Sequence, residues 1–113
     1  MRRLRFTDLA TGYSSVFETM APAYRVDTGG VAAVPAGERS HDGLRHVHAV
    51  PEVFLVLEGH GAVEVDGVAA DIGAGDVLVI AAGEEHHLVS SRHRPLVTVW
   101  LHLEPAADDR QRT

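Results

Sequence analysis

The residues best suited to chemistry are His46, His48 and Glu52, which lie within one short stretch of the chain. Side chains alternate along an extended strand, so the two histidines share one face. Pro51 indicates a turn, and a strand-turn-strand path can bring the Glu52 carboxylate back beside the imidazoles. A second, glycine-containing stretch supplies one more histidine, His86. Three imidazoles and one carboxylate on neighbouring strands predict a first-row transition-metal site.

The spacing of these residues resembles the first motif of the cupin superfamily, His-x-His-x3-Glu-x6-Gly, which ends here at Gly59. The run from Gly75 to His86 resembles the second motif of that family. This resemblance implies an all-β fold, a cupin-type conical β-barrel (a double-stranded β-helix or jelly roll). It also implies that four residues hold one divalent metal ion: His46, His48, Glu52 and His86.

Three positions depart from the family's motifs. Ser40 stands where the first motif begins with glycine, and Ala81 stands where the second motif has proline. Ser90 takes a position usually held by asparagine. None of these is a predicted ligand, so the departures weaken the assignment to a subfamily and leave the metal site intact.

Composition excludes several classes of protein. A chain of 113 residues predicts one small domain, and the absence of cysteine excludes disulfides and thiolate metal sites. The net charge of -6 argues against a nucleic-acid-binding surface. No apolar run approaches membrane-spanning length, and no apolar segment of a signal peptide follows the basic start. We therefore expect a cytoplasmic protein that does not contact membranes or nucleic acid.

The pattern of short apolar runs and turns predicts three parts: an N-terminal arm over 1–23, a cupin barrel over 24–104 and a tail over 105–113. Strands are expected over 24–26 and 31–34, with a turn between them at Gly29 and Gly30. Asp66-Gly67 predicts a type I′ hairpin, and the glycines around Gly59 are a second hairpin signal. Continuous apolar strands leave more apolar face than one small barrel hides, which agrees with the homodimer that the resemblance implies.

Period-two alternation also predicts the walls of the pocket. Phe54 and Val56 share a face with Glu52, and Ser90 shares a face with His86. His87 then points away from the site.

The last strand, over 96–103, leaves two alternatives open. Trp100 and His102 share one face with Thr98. If that face lines the barrel, Trp100 joins the pocket and His102 becomes a candidate for substrate binding or proton transfer. In the other interpretation, which the sequence slightly favours, Trp100 lies at a subunit contact and His102 is exposed.

The leading hypothesis is a metal-dependent enzyme that acts on a small organic molecule inside the barrel. Its chemistry is either oxygen-dependent, as in a dioxygenase, or redox-neutral, as in an isomerase, cyclase or lyase. Glu52 can serve as a base as well as a ligand. The ligand set does not choose among Fe, Zn, Mn, Ni and Cu. The rival hypothesis is a non-catalytic cupin module that senses or binds a small ligand, or serves as an accessory subunit.

Overall fold

The computed structural model describes residues 1–10, 21–40 and 49–106. Within these ranges the chain is almost entirely extended. The elements are β1 (Arg2–Arg5), α1 (Phe6–Leu9), β2 (Tyr24–Val34), β3 (Glu52–Glu58), β4 (His60–Val65), β5 (Val68–Gly73), β6 (Asp76–Ile80), β7 (His86–Ser90) and β8 (Leu96–Pro105). No helix in these ranges is long and apolar enough to cross a membrane.

The strands form two antiparallel sheets. The larger sheet has five strands in the order β1-β6-β3-β8-β2, and the smaller has three in the order β5-β4-β7. Strands that are neighbours in space are often distant in sequence, since β3 lies between β6 and β8. The all-β architecture predicted from the sequence is confirmed.

The main hydrophobic core lies between the two sheets, because period-two alternation gives each strand one apolar inner face. It includes Val56 and Leu78 from the larger sheet and Val63 and Leu88 from the smaller one, all nearly inaccessible to solvent. A second cluster covers the outer face of the larger sheet, where Val53 and the other outward residues of β3 and β6 pack against α1 and Ala21. The N-terminal arm therefore closes part of its own barrel.

β2 differs from the prediction. Instead of two strands joined by a turn, it is one strand that pairs with β8 along its whole length, with an irregularity between Val26 and Thr28. Gly29 and Gly30 do not have positive φ. They are needed for close approach, because a Cβ at Gly29 would lie 2.8 Å from the carbonyl oxygen of Trp100. Pairing with the long strand β8 therefore keeps Gly29 and Gly30 extended, although the local sequence favours a turn.

The two predicted hairpins have different outcomes. Asp66 and Gly67 have φ values of 49° and 81° in the turn between the paired strands β4 and β5, which confirms the type I′ prediction. Gly59, with φ of 83°, does not close a hairpin, because β3 and β4 belong to different sheets. It lets the chain cross from one sheet to the other.

β1 was not predicted as a strand, and it forms one edge of the larger sheet by pairing with β6. Arg5 reaches the carboxylate of Asp76, with Nη1 and Oδ1 2.7 Å apart. The same carboxylate accepts a hydrogen bond from the Gly73 N–H at 2.8 Å. Asp76 thereby joins the arm to the turn before β6.

Candidate functional site

A cavity of about 250 Å³ opens between the two sheets. One end is polar and is formed by Glu52, His86 and His102, and the remaining walls are mostly apolar. The complete lining is Ala32, Val34, Ser40, Glu52, Phe54, His86, Leu88, Thr98, Trp100 and His102. Such a cavity, apolar with a few convergent polar groups, is typical of small-molecule sites.

Glu52 lies at the centre of the polar end and is only 3% exposed. Its Oε1 lies 2.7 Å from Nε2 of His86, and its Oε2 lies 2.7 Å from Nε2 of His102. Each imidazole donates to one oxygen of the carboxylate. The carboxylate is therefore fixed in position by two side chains from different sheets.

His86 is buried, and both of its ring nitrogens face acceptors. Nδ1 lies 3.1 Å from the carbonyl oxygen of Glu84, and Nε2 faces Glu52. Burial acts against the charged form, but the hydrogen bonds and the negative charge of Glu52 outweigh it and raise the pKa of His86 above its ordinary value. Glu52 therefore stabilises the protonated form of His86 relative to its neutral form.

The strand register explains how these residues meet. Glu52 pairs with His102 of β8, and Phe54, two residues on, pairs with Trp100. Each pair shares the inner face of the larger sheet, so the strands place their side chains in rows across it. His86 comes from the first position of β7 in the smaller sheet and faces Glu52 across the barrel.

Each imidazole that contacts the carboxylate also packs against an aromatic ring. The rings of Phe54 and His86 are 5.8 Å apart in an edge-to-face arrangement, and those of Trp100 and His102 are 4.8 Å apart. The indole lies against the backbone of Gly30, where a Cβ would come within 3.0 to 3.2 Å of three indole atoms. Gly30 therefore makes room for Trp100 beside the cavity.

The residues predicted to form the pocket divide into two groups. Phe54 and Trp100 line the cavity. Val56 does not, because it is completely buried in the core between the sheets. Ser90 also does not, because its hydroxyl donates within the following loop to the carbonyl oxygens of Ser91 and Arg94. Alternation gave their faces correctly, but both lie beyond the end of the cavity.

The face of β8 is now assigned. Thr98, Trp100 and His102 all line the cavity, which agrees with the interpretation in which this face of β8 lines the barrel. The reason is that Thr98 pairs with Val56 of β3, which faces the core. His102 keeps a side-chain exposure of 37%, because it lies toward the open end.

Two of the four predicted ligands, His46 and His48, lie outside the described residues. In the ranges that are described, no group of three or more metal-binding side chains is arranged to hold an ion. Glu52 and His86 are adjacent, as the motif requires, and His87 faces away toward the carbonyl oxygen of Ser40.

Sequence reasoning missed Ala32, Val34 and Ser40 as cavity residues. The two β2 residues could have been found by alternation had 24–34 been read as one strand. The position of Ser40 at the cavity could not be predicted from the residues around it in the sequence. It depends on a hydrogen bond from β7, in which the Leu88 N–H donates to the Ser40 hydroxyl at 2.8 Å.

Comparison with known proteins identifies the class. The Cupin_2 family model, described as a cupin domain, matches residues 30–102. The chain therefore belongs to the cupin family.

Solved structures agree on the fold. A cupin protein from Bacteroides fragilis is 23% identical with a TM-score of 0.62, and the alignment covers 71% of this chain and 66% of that one. A Cupin 2 conserved barrel domain protein from Salinispora arenicola is 20% identical with a TM-score of 0.60, covering 93% and 76%. A predicted oxalate decarboxylase from Thermotoga maritima is 23% identical with a TM-score of 0.61, covering 80% and 74%.

One curated relative matches over a shorter stretch. Dimethylsulfoniopropionate lyase DddW from Ruegeria pomeroyi is 47% identical over 45 residues, which is 40% of this chain. The matched stretch covers 30% of the length of that enzyme.

Proposed function

We propose that the cavity is the active site of a metal-dependent enzyme that converts a small organic molecule. The observation that carries this proposal is the Glu52 carboxylate, buried at the polar end of the cavity between His86 and His102. A carboxylate in such a place is a common feature of functional sites, because burial and specific partners tune its chemistry. Membership of the cupin family supports an interior site of this kind.

The donor atoms suit a divalent transition metal. Carboxylate oxygen and imidazole nitrogen are ligands that Fe, Zn, Mn, Ni and Cu all accept, so the set fits an ion without selecting one. Glu52 and His86 would hold it together with His46 and His48, which complete the motif in the sequence. When bound, the ion would supply Lewis-acid polarisation of a substrate oxygen or redox chemistry with dioxygen.

Within this proposal His102 is the group that binds substrate or transfers a proton. Its side chain is 37% exposed, whereas that of Glu52 is 4% exposed. A general base must come within hydrogen-bonding distance of the proton that it removes, and His102 meets that requirement better from its place at the cavity. Glu52 accepts from two imidazoles and stabilises a positive charge on either, and acting as a base itself is its second proposed role.

We favour the redox-neutral version of the chemistry over the oxygen-dependent one. The support is the relative over 45 residues, which is named as a lyase, together with an imidazole placed to accept a proton. A non-catalytic binding or accessory module is the second candidate, because the matched stretch covers only 30% of that enzyme.

The metal is tested by mass spectrometry on protein purified without added metal. We expect about one ion per chain in the wild type and strong loss in His48→Ala and Glu52→Gln. His60→Ala is the control, since His60 is exposed and does not line the cavity. Equal metal content in all four proteins, or none in any, would contradict the proposed ligand set.

The reaction type is tested on the metal-loaded protein. Dimethylsulfoniopropionate is the first substrate to assay, followed by other small carboxylates, with product formation followed by NMR and dioxygen by an electrode. Turnover without oxygen consumption supports the redox-neutral chemistry. Turnover that requires dioxygen supports the dioxygenase-like alternative, and tight ligand binding without turnover supports the module.

The chain is also proposed to form a homodimer through the outer face of the larger sheet. Val31 and Leu57 are 68% and 41% exposed there. Val31 pairs with Val99, which pairs with Leu55, and this makes an apolar row across three strands. Exposed apolar surface of this kind is typical of an interaction site.

A further inference from the structure

We propose that Thr98 determines which molecules the cavity selects, because its hydroxyl forms a hydrogen bond with an uncharged polar group of the ligand. This group lies far from Glu52, so the ligand carries a hydroxyl, carbonyl or amide at the end that reaches Thr98. The inference rests on the proposed function only in taking the cavity as the ligand site. It requires no metal ion, since Thr98 is not among the proposed metal ligands.

The hydroxyl of Thr98 has no partner in the described part of the chain. Thr98 lines the cavity although it is only 2% exposed. Its register partners on the neighbouring strands, Ala32 and Val56, have apolar side chains. Every described side-chain oxygen that is fully shielded from solvent has a hydrogen-bond partner. Because the Thr98 hydroxyl forms no hydrogen bond with a described residue, it must be accessible from the cavity.

This hydroxyl is costly for the protein unless a ligand uses it. A hydroxyl among apolar groups is unfavourable without a hydrogen bond. Valine has nearly the same shape as threonine and would fill the position without that cost. The other hydroxyl of the lining, on Ser40, differs because it accepts a hydrogen bond from the Leu88 N–H at 2.8 Å. A bound molecule is therefore the partner that the Thr98 hydroxyl can bond.

Thr98 lies two inner-face rows away from the polar end of the cavity. Glu52 and His102 pair in the first row, Phe54 and Trp100 pair in the second, and Thr98 belongs to the third. Inner-face rows are about 7 Å apart, so about 13 Å of strand separates Thr98 from His102. A ligand that reaches both places is elongated and passes the two aromatic rings between them.

The charges of the lining determine which kind of group fits at Thr98. The titratable side chains among the described lining residues are Glu52, His86 and His102, and all three lie at the polar end. A charged group near Thr98 would lose its hydration without gaining a partner of opposite charge, which is unfavourable. A neutral polar group loses less hydration, and one hydrogen bond to the hydroxyl compensates for that loss.

The test compares two linear molecules of similar length: hexamethylene glycol, with a hydroxyl at each end, and n-heptanol, with a methyl group in place of one hydroxyl. Binding is followed by NMR through the indole N–H of Trp100, the single tryptophan, which lines the cavity. We expect Thr98→Val to weaken binding of the glycol relative to heptanol by about three- to tenfold, the usual effect of one neutral hydrogen bond. Thr98→Ser keeps the hydroxyl and should keep the wild-type ratio of affinities.

The control is the same substitution at a threonine outside the cavity. Thr28 is exposed on β2 and does not line the cavity, so Thr28→Val should leave the ratio of affinities unchanged. An unchanged ratio in Thr98→Val, or an equal change in the two valine variants, would overturn the inference.

Thermal unfolding without ligand separates this role of Thr98 from a structural one. Thr98→Val should keep the unfolding midpoint or raise it, because valine removes an unbonded hydroxyl from apolar surroundings. A clearly lower midpoint would show that the hydroxyl stabilises the fold, and this result would also contradict the inference.

Metal content measured on the same samples separates this inference from the proposed function. Protein that holds metal, but whose ratio of affinities does not depend on Thr98, overturns the inference alone. Protein without metal whose ratio depends on Thr98 contradicts the metal proposal and supports the inference. Wild-type protein that binds neither molecule also overturns the inference, while its metal content still tests the proposed function.

Discussion

At the scale of single residues, the most informative finding is the contact between His102 and Glu52. The sequence placed His102 near the site in only one of two interpretations of the last strand. The structure brings its Nε2 to 2.7 Å from the carboxylate. If Glu52 binds the metal that we propose, this hydrogen bond would orient its carboxylate in the way that outer-shell groups commonly do.

We predict that His102→Leu weakens metal affinity by about 10- to 100-fold, which is the usual cost of losing an outer-shell hydrogen bond. Leucine removes the donor, whereas the amide of glutamine could still donate to Glu52. Metal competition with a fluorescent chelator measures the affinity directly. His60→Leu, at an exposed position of β4, is the control and should bind like the wild type. If His102→Leu also retains full affinity, His102 does not orient Glu52.

At the scale of elements, the two glycines that flank β4 have the same backbone conformation but differ in how crowded their surroundings are. Gly59 and Gly67 have nearly the same φ, 83° and 81°. A Cβ at Gly59 would collide with the carbonyl oxygen of Pro95, whereas a Cβ at Gly67 meets nothing within 4 Å. The sheet crossing is therefore crowded and the hairpin turn is open.

Gly67→Ala should lower the free energy of unfolding by about 1–2 kcal/mol, the cost of the left-handed backbone alone. Gly59→Ala should lower it by about 2–5 kcal/mol, because overpacking adds to the same backbone cost. Urea denaturation measures both. Equal losses would show that the contact with Pro95 relaxes without cost.

The contribution of the ion pair between Arg5 of β1 and Asp76 of β6 to the stability of the fold depends on pH. Burial favours the neutral acid, but the hydrogen bonds from Arg5 and the Gly73 N–H, with the arginine charges, lower the pKa of Asp76 below its ordinary value of 3.8. A carboxyl whose pKa is lower in the folded state stabilises the fold above its unfolded pKa. That contribution is lost as pH falls below about 4 and through the folded pKa.

Asp76→Asn should therefore lower the free energy of unfolding by about 1–3 kcal/mol at pH 7, toward the lower end because Arg5 is 55% exposed. At pH 3 the difference from the wild type should shrink, since the wild-type carboxyl becomes protonated. Denaturation curves at both pH values test this. Asp71→Asn, at an exposed position of β5, is the control and should have little effect.

At the scale of the whole molecule, the two faces of the larger sheet have different environments. The inner face forms the core and the cavity. The outer face is covered by Leu9, Ala21 and their neighbours on one side, and it exposes Val31 and Leu57 on the other. This uncovered part is where we place the dimer contact.

Light scattering after gel filtration should give about twice the chain mass for the wild type. Val31→Glu should shift the protein toward monomer, because a charge without a partner at an apolar interface is costly. Val68→Glu is the control, since Val68 is 72% exposed but lies in the other sheet. A monomeric wild type, or equal effects of the two variants, would exclude this interface.

The sequence by itself determined the all-β class, the cupin family and the faces of β3 and β7, and it grouped Thr98, Trp100 and His102 on one face of β8 without deciding which way that face points. These follow from local rules: the period of side chains along a strand and the spacing of the motif around Glu52. Type I′ geometry at Asp66-Gly67 was equally local, since only such residues readily accept positive φ at both positions.

Tertiary structure decided the rest. Pairing with β8 decided that the chain stays extended at Gly29 and Gly30. The packing of the two sheets decided that Val56 lies in the core and not in the cavity wall. The meeting of His102 with Glu52, 50 residues apart by their numbers, depended on strand register. Such pairings are set by the packing of the whole barrel, and a periodic pattern within one strand contains no information about its partner.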